Sequence, residues 1–114
     1  NISKEDLIRI NKGFGGSLHN EASLDFALEQ QQNNKIGEYT KLAYLLRAIL
    51  VDHAFHDGNK KTAMFISYTF ADQLKKQIDD EILKHQILSI ASKNITDIEI
   101  ITERIKNAIK QKEN

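Results

Sequence analysis

The sequence predicts an all-α protein, a compact bundle of about six helices, and three observations carry that reading. The 114-residue chain has no proline and only five glycines, four of them before residue 40, so long helices are unobstructed from the middle onward. Apolar residues recur at the i, i+3, i+4, i+7 spacing of a helix face, most clearly at Leu42, Leu45, Leu46, Ile49 and Leu50. No stretch alternates with period two and no fixed-period repeat is present, although a short flap hairpin stays open as a reading near residues 31–39. The length suits a single domain, residues 1–114, around one core.

Taken in order, Ser3 followed by Asp6 reads as an N-cap with an acid in the first turn, opening a helix through about Lys12. Gly13-Phe14-Gly15-Gly16 ends it. Asn20 or Ser23 caps a second helix carrying Leu24, Ala27 and Leu28. Gln30 to Gly37 is polar and aperiodic and reads as a surface loop or the short hairpin. A long helix begins near Glu38 and its leucine stripe extends to His53. Asp57 to Asn59 form a turn, with Asn59 at or near the N-cap of another long helix running to about Lys75, in which Met64, Phe65, Tyr68, Phe70, Ala71 and Leu74 are apolar. Asp79 or Asp80 opens a helix with Ile82, Leu83, Ile87, Leu88 and Ala91. Thr96-Asp97-Ile98-Glu99 reads as a capping box before a last helix with Ile98, Ile101, Ile105, Ala108 and Ile109 inward.

Composition removes several classes of function. No apolar run approaches the roughly 20 residues that cross a bilayer. No signal-peptide pattern precedes the first polar residues, and the absence of cysteine excludes disulfides and thiolate metal sites; a cytoplasmic location is the expectation. Sixteen basic against sixteen acidic residues give no bulk electrostatic grip on nucleic acid. Lysines at 106, 110 and 112 read as a solvated helix end.

The chemistry concentrates in residues 53–63, His-Ala-Phe-His-Asp-Gly-Asn-Lys-Lys-Thr-Ala. A helix N-terminus behind a glycine turn offers unpaired N–H groups and partial positive charge, which suit phosphate. Lys60 and Lys61 add two cations in the first turn, where the helix dipole disfavours them. A purely structural design would place acids there, so the pair calls for an anionic ligand. Asp57 beside that anion suits Mg²⁺, which takes one or two carboxylates plus phosphate oxygens. His53 is placed to accept a proton from an attacking hydroxyl. Base, metal and anion cradle are the parts of a phosphoryl-transfer site.

This loop resembles the signature of the Fic/Doc superfamily, H-x-F-x-[D/E]-[G/A]-N-[G/K]-R, here His53-x-Phe55-x-Asp57-Gly58-Asn59-Lys60-Lys61. The resemblance implies that His53 is the catalytic base for a Ser or Thr hydroxyl of a target protein and that Phe55 anchors the loop in the core. It makes Asp57 the Mg²⁺ ligand. Gly58, Asn59, Lys60 and Lys61 become the nucleotide-phosphate cradle. Lys60 and Thr62-Ala63 resemble the death-on-curing (Doc) branch, whereas the AMP-transferring branch usually has glycine at the first of these positions and an arginine where this chain has Met64. The implied activity is transfer of the γ-phosphate of ATP to a protein, a translation elongation factor being the family's known class of target. Such chains typically act as toxins held silent by a small antitoxin. The inhibitory motif of self-restrained members is not cleanly present, Ser17 to Ala22 coming nearest, so restraint is expected in trans. Lys61 departs from the family's arginine and loses the two-pronged fit to phosphate.

Three rival readings stand beside this one. His56-Asp57 is also the HD doublet of metal-dependent phosphohydrolases, for which His19 and Asp72 are the only helpers and sit at unconvincing spacing. AMP transfer is the second, and a non-catalytic partner-binding module the third. His56, His19 and His85 otherwise read as surface residues, and Tyr39, Tyr44 and Tyr68 as core or boundary aromatics.

Overall fold

Helix α3 (Glu38–Leu50) is the hub around which the chain closes. Its stripe buries Leu42, Ala43, Leu45, Leu46, Ala48, Ile49 and Leu50, too wide a face for one neighbour. It packs against α2 (Glu21–Gln30), α4 (Asn59–Gln73), α5 (Asp80–Ser92) and α6 (Ile98–Lys106). The computed structural model describes residues 2–111. Before α2 comes α1 (Lys4–Gly13), and two three-residue strands, β1 (Lys76–Ile78) and β2 (Ile109–Gln111), complete the order. They pair antiparallel with Lys76 opposite Gln111 and Ile78 opposite Ile109. The architecture is a mostly α bundle of six helices, as the periodicity predicts. Among the described residues no helix is long and apolar enough to cross a membrane.

Helix starts follow local chemistry. Ser3 and Asp6 form a reciprocal capping box on α1. Lys4 bridges Glu21 and Asp25 (2.8 Å to the latter), tying α1 to the start of α2. The Asn20 side chain caps α2 and Asp79 caps α5. The Ile82 N–H holds the Asp79 carboxyl below the usual range, with Lys110 adding to it.

Several expectations are corrected. Residues 31–37 form hydrogen-bonded turns, not a hairpin, because N–H groups there find carbonyls three residues back before any strand partner. The last helix is capped by Asp97, whose carboxylate accepts from Glu99 and Ile100, and no Thr96 capping box forms; the Thr96 carbonyl takes Arg47 instead. That helix stops at Lys106, so the inward Ala108 and Ile109 reach the core from a turn and from β2. Lys106 and Lys110 face Glu103 and Asp79 at 3.7 and 3.5 Å, and Lys112 lies outside the described residues. On α4 the buried face is Thr62, Ala63, Ile66, Ser67 and Ala71, while Phe65 and Tyr68 are exposed. Small side chains let α4 lie close to its neighbours, and the aromatics are left on the outer face. Tyr68 donates there to Asp80, which pushes the phenol up to about 12.

Candidate functional site

The site is built on residues 51–58, the connection between α3 and α4. The leucine stripe predicts His53 on α3, but α3 ends at Leu50 and His53 lies beyond it in a left-handed conformation (φ 52°). A side-chain-bearing residue holds that conformation at a cost of about 1–2 kcal/mol. Four bonds impose it. The Ala54 N–H reaches back to the Ala48 carbonyl (2.9 Å), and the Ala54 carbonyl accepts from the His19 and Asn20 N–H groups (2.8 and 3.0 Å). His19 Nδ1 donates to the His53 carbonyl (3.0 Å). The bend turns the chain out of the core, and the His53 side chain is exposed at a cavity.

Phe55 turns the other way and is fully buried. Around it the loop is strapped by the segment that precedes α2. Leu18 and Phe55 pair as a single antiparallel bridge, and the His56 N–H donates to the Ser17 carbonyl (2.8 Å). The Asn59 amide closes the loop from the far side, accepting from the Phe55 N–H (3.2 Å) and donating to its carbonyl (2.8 Å). Asn59 is therefore a staple and not the cap. The N-cap is Gly58, left-handed at φ 72°. A methyl group there would meet the Phe14 carbonyl and the Asn11 amide at 3.1 Å, so glycine is favoured by conformation and fits a tight space.

With glycine at the cap, α4 starts without a side-chain cap and without an acid in its first turn. The first backbone bond into the helix is donated by Thr62, to the Gly58 carbonyl. The N–H groups of Asn59, Lys60 and Lys61 remain at the tip, where the dipole is positive. Asp57, Lys60 and Lys61 line the open side of this turn, and among the described residues none is in an ion pair.

A cavity of about 630 Å³ collects these groups. His53, His56, Asp57, Gly58, Asn59, Lys60 and Lys61 all line it; Phe55 is the loop's buried apolar root. The rest of the lining comes from Phe14, Leu50, Leu88, Ala91 and Ser92. Sequence alone assigns none of these five to the site, since Leu88 and Ala91 look like any core stripe. Leu88 is in fact 43% exposed. The lining combines polar and cationic groups with apolar ones, and the volume is that of an ordinary ligand site.

His56, which also lines the pocket, stacks with His19, their ring centroids 4.3 Å apart. Sequence leaves His19 a partnerless surface residue; in the structure it holds the His53 carbonyl. Among the described residues no group of three or more His, Asp or Glu is arranged to hold a metal, so nothing gathers around His56-Asp57 as an HD-type centre would need. A single unpaired carboxylate beside an uncapped helix tip does fit Mg²⁺ carried in with phosphate, because that ion needs only one or two protein carboxylates.

A family model, the Fic/DOC family, matches residues 2–71. The chain belongs to the Fic/DOC family. The match runs from α1 into α4, so it takes in the loop, its strap and the helix tip, while the α5 wall lies beyond it. No curated protein and no solved structure matches the chain. Membership of the Fic/DOC family makes it a member of a group of protein-modifying enzymes of the transferase kind.

Proposed function

We propose that this Fic/DOC protein transfers the γ-phosphate of ATP to a Ser or Thr hydroxyl of another protein, in the manner of the Doc branch. The observation that carries the reading is the shared cavity, in which two imidazoles (His53 and His56), one carboxylate and an uncapped helix tip bearing two lysines, neither in an ion pair among the described residues, line one space. The tip and lysines suit a polyphosphate, and the apolar wall of Phe14, Leu88 and Ala91 suits the nucleoside end of the same molecule. The bulky Lys60 and the presence of Met64 in place of a second arginine support phosphate transfer over AMP transfer.

In the reaction, the target hydroxyl oxygen forms a bond to the γ-phosphorus and its proton passes to the His53 ring. The bond from that phosphorus to the β–γ bridging oxygen breaks, and ADP leaves. The N–H groups of Asn59, Lys60 and Lys61 and the two ammonium groups offset the phosphate charge. Asn59 contributes through its backbone, since its side chain is committed to Phe55. Mg²⁺, when bound, neutralises further phosphate charge, and Asp57 is the residue that would hold it. The target is expected to be a component of translation. Restraint is expected from a separate small antitoxin.

Incubation with a cell extract and ATP labelled at either the γ- or the α-phosphate tests the proposal. Label on protein from γ-labelled ATP alone is the expected result. Label from α-labelled ATP means AMP transfer, and no label from either leaves a binding module.

A further inference from the structure

We infer that Asn11, a buried amide at the end of α1, is a positioning residue that aims Asp57 into the cavity. The inference rests on the nucleotide reading above and adds a residue that the signature loop does not contain.

Asn11 is fully buried. Its Nδ2 donates to the Asp57 carbonyl at 2.7 Å and to Thr62 Oγ1 at 3.2 Å. One side chain from α1 thus holds both ends of the turn that carries the carboxylate, Gly58 and the helix tip. Reversing the amide would set oxygen against the Asp57 oxygen, so the acceptor determines its orientation. The consequence is an oddity: Asn11 Oδ1 is buried with no partner among the described residues. A buried polar atom left unpaired is costly and rare. The two donors are what this position uses.

The surroundings reinforce the clamp. The Gly16 N–H donates to the Asn11 carbonyl (3.1 Å), and a methyl at Gly16 would lie 2.2 Å from both Asn11 Oδ1 and the Asp57 carbonyl oxygen. No room exists for Asn11 or the Asp57 peptide to shift toward that side. With its carbonyl clamped and Gly58 fixed after it, the Asp57 backbone has little freedom, so the point from which its carboxylate projects is held at the cavity. Exerted through the backbone, this is related to the part that an outer partner plays for a metal ligand, whose removal typically weakens metal binding without touching the ligand itself.

The test measures ATP affinity by calorimetry, with Mg²⁺ and with EDTA, in the parent chain, in Asn11→Leu and in Asn11→Ser. Leucine keeps the volume and removes both donors; serine restores one donor and covers the case in which leucine does not fold. Leu24→Ala, a fully buried change on α2, serves as a control of reduced melting temperature. The parent should bind tighter with Mg²⁺. Asn11→Leu should lose about tenfold of that Mg²⁺-dependent gain while its affinity in EDTA stays within about twofold, following the usual cost of removing an outer partner. Asn11→Ser should fall between, and Leu24→Ala should keep the gain. Equal weakening of Asn11→Leu in both conditions, or full retention of the gain, overturns the role of Asn11 while leaving the nucleotide reading intact. A parent chain that binds no ATP in either condition overturns both.

Discussion

Two connections of similar length leave the hub helix in opposite directions, and they are held in different ways. Residues 31–37, leading into α3, bond only to near neighbours in sequence: Gln31, Gln32 and Asn33 each donate to a carbonyl three residues back at the end of α2, and the longest reach is Gln31 to the Lys41 carbonyl. Residues 51–58, leading out of it, are held from far away. Asn11, Ser17, His19, Asn20 and Ser23 all bond to them, across 29 or more residues of sequence. The first loop only has to join two helices. The second holds a left-handed histidine, a buried phenylalanine and a left-handed glycine within a few residues, and no local sequence keeps that arrangement unaided. The candidate site sits in the loop that the rest of the molecule constrains.

The largest effect expected from breaking this comparison is at His53. His53→Gly removes the ring and also relieves the positive φ. Phosphate transfer should fall by about 10²- to 10⁴-fold, the usual contribution of a positioned base. The melting temperature should not fall. A variant that kept its transfer rate would show that the strained position does not serve catalysis. Next comes Gly16→Ala, which forces a methyl against the Asp57 carbonyl. It should cost about 1–3 kcal/mol in denaturant unfolding, as overpacking generally does, and reduce transfer as well. Gly58→Ala should cost about 1–2 kcal/mol from the left-handed backbone, before its neighbours at 3.1 Å have given way.

The same contrast explains what is legible in the sequence. Helix stripes, the Ser3, Asn20 and Asp79 caps, and the spacing of His53, Phe55, Asp57, Gly58 and Asn59 are local, and residue types at short separation reveal them. Asn11 lies 46 residues from the carbonyl it holds, and an asparagine near a helix end looks the same whether it faces water or the loop. Gly16 reads as an ordinary turn glycine, and His19 as a surface residue, until the strap is seen. The three-residue strands are too short for alternation to register. The first turn of α4 is half legible: its lysines do sit at an uncapped tip, but the residue at the cap is a glycine and Asn59 is a staple. On α5, Leu88 keeps its place in the apolar stripe and still ends on the cavity wall, because one helix face there serves both core and pocket.

The smallest effect sharpens the other side of the comparison. Gly37 is the N-cap of α3, extended at φ −77° and ψ 169°, with no side-chain cap, and a methyl group added to it would meet nothing within 4 Å. Serine adopts that backbone without strain and can accept from an N–H in the first turn of α3. Gly37→Ser should therefore stabilise the chain by a few tenths of a kcal/mol, the usual difference between a glycine and a serine cap. Transfer activity should be unchanged, because residues 31–37 line none of the cavity around His53. Equilibrium unfolding and the labelling assay on the same preparation read both quantities. A drop in transfer would mean that this loop, although locally bonded, still communicates with the site through α3, and the division between a joining loop and a constrained loop would have to be redrawn.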